Sequence, residues 1–232
     1  MSTAASAFNF EQARFNMIEQ QIRPWEVLDA RVLALLAEVK REQFVPAAFQ
    51  SLALADMEIP LSHPVVEGEC MLPPKVEARA LQDLALQPGD NVLEIGTGSG
   101  YMAALLGKLS ARVLSLEINP ELARQAQARL AAAGIDNVEV RVADAAASRF
   151  AACVSAAPYD AIVVSGSIAE VPSDLLELLR QGGRLFAIVG NEPIMRATIV
   201  RRTGDVAFHT EQPWDIVAPR MRHFPEPSRF QF

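Results

Sequence analysis

LEIGTGSGYMAALL, residues 93–106, decides the fold. An apolar strand, VLEI at 92–95, runs into Gly96, Gly98 and Gly100, with Thr97 between the first two. A helix, YMAALLGKL at 101–109, follows at once. A glycine turn between strand and helix lets backbone approach a ligand without Cβ clashes, as in nucleotide-binding α/β sheets. The spacing is GxGxG rather than the GxGxxG of dinucleotide folds, and Glu94 stands two residues before the first glycine. A carboxylate there repels a pyrophosphate and favours an amine or a sulfonium.

The alternation continues downstream. Strand RVLSLE (112–117) leads to helix PELARQAQARLAAA (120–133), with Pro120 in its first turn and Gly134 at its C-cap. Strand VEVRV (138–142) precedes Asp144, and strand AIVV (161–164), helix SDLLELLR (173–180) and strand RLFAIVG (184–190) complete the series. Nearly all-apolar strands between helices predict a doubly wound, mostly parallel sheet covered on both faces. RATIVRR and EQPWDIVAP read as strands that extend it antiparallel.

Glu117 ends the second strand about 20 residues beyond the glycines, where a carboxylate accepts hydrogen bonds from ribose hydroxyls. Asp144 follows the third strand, placed to read the exocyclic amine of adenine. Glu94, Glu117 and Asp144 at successive strand ends suit an adenosine bearing an amino acid tail and a positive sulfur. That is S-adenosylmethionine (product S-adenosyl-L-homocysteine) rather than NAD. Asp160 is expected to be a cap or turn residue, or a ligand contact.

Upstream, residues 8–50 are helical in pattern. FEQARFNMIEQQI carries apolar residues at helical spacing and ends at Arg23-Pro24, and Asp29 can cap RVLALLAEV. The stretch 51–75, with several prolines and little periodicity, reads as a long loop or a short helix laid over another element; VEARALQDLAL then forms a helix stopped by Pro88-Gly89. The expected organisation is a helical extension, 1–75, packed on a methyltransferase-like domain, 76–232, as one structural unit.

Half of the 232 residues are apolar and 21% are charged, ordinary for a folded chain, and the net charge of −7 argues against generic binding to nucleic acid or anionic membrane. Cys70 and Cys153 form no CxxC pair, and His63, His209 and His223 are scattered, so no disulfide framework and no metal site are expected. No basic, then apolar, leader opens the sequence and no apolar run reaches membrane length, so the expected compartment is the cytoplasm. Trp25 and Trp214 are assigned to packing. Arg201-Arg202 and the basic stretch PRMRHFPEPSRF read as solvated surface or, as the lesser alternative, a substrate-attracting patch, with 224–232 disordered or lying across the surface.

MIEQQIRPWEVLDARVLALLAEVKREQFVP at 17–46, Ile59-Pro60-Leu61, LEIGTGSGYMAALL and GRLFAIVG at 183–190 together resemble the protein-L-isoaspartate O-methyltransferase family over roughly residues 11–190. The resemblance implies S-adenosylmethionine-dependent methylation of an isoaspartyl carboxylate, with an isoaspartyl peptide or protein, or a small carboxylate, as acceptor and a monomer or homodimer as the working form. No strong general base is needed, because the sulfonium is activated and the carboxylate is ionised near neutral pH.

On the acceptor side the chain departs from the family. Where the family has a segment like Gly-Gln-Thr-Ile-Ser-Ala-Pro-His, this chain has GECMLPPK at 68–75. Gly68 and Pro74 are kept, while Cys70 replaces the threonine, Leu72 the serine and Lys75 the histidine. The family's serine hydroxyl orients the acceptor carboxylate. Leu72 donates no hydrogen bond and Cys70 only a weak one; Lys75 either pairs with a substrate carboxylate or is solvated at a helix start. Ser165 and Ser167, in SGSIAEVP at 165–172, are replacement hydroxyls or ordinary loop serines. The alternatives are a methyltransferase with another acceptor and a non-catalytic S-adenosylmethionine-binding or interaction protein.

Overall fold

The structure is a computed structural model that describes residues 9–226. Its helices and strands in chain order are α1 (Phe10–Met17), α2 (Ala30–Glu38), β1 (Ile59–Pro60), β2 (Cys70–Met71), α3 (Pro74–Leu84), β3 (Asn91–Ile95), α4 (Tyr101–Leu109), β4 (Arg112–Glu117) and α5 (Pro120–Ala132). Then come β5 (Val138–Val142), α6 (Ala151–Val154), β6 (Tyr159–Ile168), α7 (Ser173–Leu176), β7 (Leu179–Asn191), β8 (Ile194–Arg202) and β9 (Phe208–Asp215).

The main sheet has the order β5-β4-β3-β6-β7-β8-β9. β5 to β7 are parallel, and β8 and β9 extend the sheet antiparallel. Alternate strand residues face opposite sides. Val92, Val113, Val163 and Phe186 join one core cluster, whereas Leu93, Leu114, Val164 and Leu185 join the other. The sequence reading of a doubly wound sheet therefore holds.

The first cluster also contains Met17, Ile22, Leu36 and Phe44, so the N-terminal helices share a continuous apolar core with α3, α4 and the sheet. Arg41 ties these parts together. Its Nη1 pairs with buried Glu77 of α3, its Nη2 donates to the Leu72 carbonyl at 2.7 Å, and its guanidinium lies 4.9 Å from the Tyr101 ring centre.

Several local expectations change. After α1 the chain continues through a π-helical turn (Ile18–Ile22) and a 3₁₀ turn (Arg23–Trp25). The 51–75 region holds the end of a 3₁₀ turn, Ala47–Leu52, and the β1–β2 ribbon, with Ile59 opposite Met71 and Pro60 opposite Cys70. α3 ends before Pro88-Gly89, because Ala85 already has a left-handed backbone, φ 47°. The helix expected over 173–180 stops at Leu176, and Leu179 pairs with Tyr159 in the sheet. Strand β6 runs on through Ile168, so Ser165 and Ser167 lie on a strand rather than a loop. The expectation for 224–232 lies outside the described residues from 227 onward; Phe224 itself is buried.

Candidate active site

The C-terminal ends of β3, β4, β5 and β6 open into one crevice, where parallel α/β sheets bind ligands. Its lining includes Ile95, Gly96, Gly98, Glu117, Asp144 and Ser165, and its cavity volume is about 150 Å³. An inner chamber of about 40 Å³ adjoins it, bounded by Cys70, Leu72, Glu77, Thr97, Ser99 and Phe186 among others. Cys70, Gly96, Gly98 and Ser165 border both spaces.

Gly96 and Gly98 have φ of +96° and +52°. A Cβ on Gly96 would stand 3.0 Å from Met221 Cε, and one on Gly98 would stand 3.2 Å from Leu61 Cδ1. Side chains at either position would fill the crevice floor. Glu117 braces this loop, one oxygen accepting from the Gly98 N–H at 2.8 Å and the other from the Asn119 N–H at 2.9 Å. Thr97 Oγ1 lies 2.5 Å from Ser115 Oγ and so holds the loop to β4.

Two expected cofactor residues lie outside the crevice, and a third lines it but is already hydrogen-bonded. Gly100 borders neither space; it starts α4 at φ +87°, where a Cβ would stand 3.1 Å from Ala126 Cβ of α5. Its role is helix packing. Glu94 is fully buried, does not line the crevice, and accepts from Ser115 Oγ at 2.5 Å and Ser165 Oγ at 3.1 Å. Burial pushes its carboxyl up to about 8, which keeps much of it protonated near neutral pH. Asp144 does line the crevice, but its Oδ2 lies 2.6 Å from His223 Nδ1, while Oδ1 accepts from the Ala146 N–H at 3.1 Å.

On the acceptor side, Cys70 and Leu72 border the inner chamber and Lys75 does not. Lys75 Nζ is 2.7 Å from Asp56 and 4.4 Å from the Trp25 ring centre, so it is half-buried in an ion pair and not aimed at the crevice. Burial pushes the Cys70 thiol up to about 12, with Glu58 and Glu77 adding to the effect. It stays a neutral thiol, a poor nucleophile beside a methyl donor. Ser165 reaches the crevice while donating to Glu94; Ser167 is buried and donates to the Ala218 carbonyl. Asp160 lies at the opposite end of the sheet, accepting from the Asn91 N–H and pairing with Arg180. Trp25 and Trp214 pack edge to face, ring centres 5.7 Å apart.

The sequence reading missed the C-terminal wall. Arg220, Met221, Arg222 and Phe224 line the crevice, Phe224 buried and Arg222 still exposed. Ser167 N–H donates to the Pro219 carbonyl and Met221 N–H to the Ser167 carbonyl, both at 2.8 Å, which docks the segment on β6. Arg222 reaches Glu69 at 3.1 Å, and Phe224 stacks tilted on Phe150. The one signal in the sequence was a phenylalanine and two arginines close to a chain with many acidic strand ends. Among the described residues no group of three or more His, Cys, Asp or Glu is placed to hold a metal ion.

The sequence model of the protein-L-isoaspartate(D-aspartate) O-methyltransferase (PCMT) family matches residues 12–217. The chain belongs to this family. It is 40% identical over 194 residues to the protein-L-isoaspartate O-methyltransferase of Methanoculleus marisnigri, covering 83% of this chain and 84% of that protein. It is also 40% identical to the one of Methylorubrum populi, covering 83% and 86%. The crystal structure of a beta-aspartate methyltransferase (PCMT) from Plasmodium falciparum, in complex with S-adenosyl-L-homocysteine, shares the fold at TM-score 0.72 and 20% identity, over 92% of this chain and 99% of that one. A second solved protein-L-isoaspartate O-methyltransferase aligns at TM-score 0.74 and 22% identity, over 88% of this chain and 64% of that one. Membership of the PCMT family makes the chain an S-adenosylmethionine-dependent O-methyltransferase. No helix among the described residues is long and apolar enough to cross a membrane.

Proposed function

We propose that this PCMT-family chain methylates the free carboxylate of an isoaspartyl residue in a peptide or protein, and does so weakly. The observation that carries the proposal is the pairing of two unlike halves in one crevice. The glycine floor with Glu117 and Asp144 is built for an adenosyl cofactor, while the chamber beside it presents Leu72 where the resemblance leads one to expect a hydroxyl.

S-adenosylmethionine, when bound, supplies a methyl group on a positive sulfur. The residues present fit it, because Gly96 and Gly98 leave room that any side chain would close. Glu117 and Asp144 each keep lone pairs beyond the bonds they already accept, for ribose hydroxyls and the adenine amine respectively. Glu94 lies beneath the floor and positions Ser165 and Ser115 rather than touching ligand. Catalysis then consists of holding the acceptor oxygen in line with the methyl group and keeping water out. The neutral Cys70 thiol does not compete for the methyl group.

The shared apolar core supports a single cooperative unit rather than separable 1–75 and 76–232 parts. The net charge of −7 supports a peptide or protein acceptor over nucleic acid, and two free cysteines accord with a reducing, cytoplasmic setting. Calorimetry with S-adenosylmethionine, S-adenosyl-L-homocysteine and NAD tests the cofactor half. Micromolar NAD binding with no response to the other two would refute it.

A further inference from the structure

Among the described residues, five buried side-chain polar atoms lack a hydrogen-bond partner, on Arg14, Gln21, Glu42, Tyr101 and Arg220. Only Arg220 lines the crevice. It also lines the open groove outside, where Glu58, Glu67, Glu192, Met195 and Val217 lie, so it stands where an extended acceptor would pass from solvent toward the methyl donor.

The rest of the Arg220 guanidinium is fixed. Nη2 donates to the Gly190 carbonyl at 2.8 Å and to Asn191 Oδ1 at 2.6 Å, and Nε lies 3.2 Å from Glu226. Its backbone bridges to Ser167 of β6. Nη1 is left buried without an acceptor. A buried guanidinium N–H without a partner is costly, and such an exception calls for a ligand or other acceptor to explain it.

The acceptor carboxylate needs a donor, and residues 70–75 supply none of strength. Leu72 has no polar side-chain atom, Cys70 is a weak donor, and Lys75 is committed to Asp56. Arg222, the other cation lining the crevice, is paired with Glu69. The remaining crevice carboxylates, Glu67, Glu117 and Asp144, favour the positively charged donor and oppose an anionic acceptor.

We propose that Arg220 anchors the carboxylate of the methyl acceptor, making up in part for the hydroxyl that Leu72 lacks. The inference rests on the methyl transfer proposed for this same crevice. A guanidinium N–H makes a strong, charge-assisted bond to a carboxylate, and with Nε and Nη2 engaged, Nη1 is the nitrogen left to make it. One carboxylate oxygen forms the new O–CH₃ bond as the S–CH₃ bond breaks, the bonding pair returns to sulfur, and no proton moves. Arg220 holds the other oxygen, which makes the acceptor's orientation depend on charge rather than on a hydroxyl.

The test compares the wild type, Arg220→Gln and Arg220→Lys, each loaded with S-adenosyl-L-homocysteine. The ligands are an isoaspartyl peptide and the same peptide with that side-branch carboxylate converted to the amide. The wild type should bind the carboxylate form about ten- to hundredfold more tightly than the amide. R220Q should bind both alike, R220K should recover part of the preference, and all three should hold S-adenosyl-L-homocysteine equally. In turnover, R220Q should raise KM for the peptide more than it lowers kcat. A full carboxylate preference in R220Q overturns the inference, as does loss of S-adenosyl-L-homocysteine binding, which would make Arg220 a support of the crevice wall. A wild type that methylates the peptide with a KM unchanged in R220Q refutes Arg220 alone. A wild type that binds the cofactor product but neither binds nor methylates the peptide refutes the proposed acceptor, and the inference with it.

Discussion

The two halves of the crevice are built on different principles. The cofactor half is local: Gly96, Gly98 and Glu117 lie within two adjacent βα units, and the Gly98–Glu117 hydrogen bond spans 19 residues. The acceptor half is assembled from distant parts, with Glu69 meeting Arg222 across 153 residues and Arg220 meeting Gly190 across 30. Backbone geometry shapes the first, so few substitutions are tolerated there. Side chains shape the second, so its specificity can be rebuilt residue by residue on an unchanged sheet.

The largest effect is expected in the cofactor half. Gly98→Leu must place a side chain at φ +52° with its Cβ 3.2 Å from Leu61. Affinity for S-adenosylmethionine should fall about a hundredfold or more by calorimetry, and retained affinity would show that the cofactor lies elsewhere. Leu72→Ser comes next. Restoring one hydrogen bond to a charged group is worth about 1.5–3 kcal/mol, so isoaspartyl methylation should rise about tenfold or more with cofactor affinity unchanged.

Glu94 gives a smaller effect, read through pH. Its carboxyl is raised by burial from 4.5 to about 8, so the folded chain holds its proton where the unfolded chain has lost it. That contribution to stability is complete below the unfolded value and is lost as pH rises through about 8. Between about pH 6 and pH 9, Glu94→Gln should therefore lose a few degrees less in melting temperature than the wild type. Parallel melting curves would contradict a protonated buried Glu94. Lys75→Ala should be smallest: about 1 kcal/mol or less of stability from the Asp56 pair and the Trp25 contact, and no change in peptide KM. A raised KM would return Lys75 to the acceptor site.

The same division explains what the sequence alone could reveal. α4, β4 and β5 have the expected bounds because their apolar patterns are strong, and α5 ends within a residue of its expected span because Pro120 marks its start and Gly134, φ +68°, lies past its end. Residues 173–180 carry a helical pattern of leucines, yet pairing of Leu179 with Tyr159 wins over local propensity. Glu117 was legible as a loop-side carboxylate because its partner is the adjacent glycine turn. Lys75 was not, because Asp56 and Trp25 reach it through tertiary packing. Arg220, Met221 and Phe224 have no periodicity to mark them; their place follows from docking on β6, which no spacing rule encodes.

The central claim is a retained cofactor half beside a rebuilt acceptor half. Labelled methyl transfer from S-adenosylmethionine to an isoaspartyl peptide tests it most directly, with the matching aspartyl peptide as control, for the wild type and L72S side by side. The account predicts weak but isoaspartyl-selective transfer by the wild type and a clear gain in L72S. Efficient, selective transfer by the wild type that L72S leaves unchanged would contradict it.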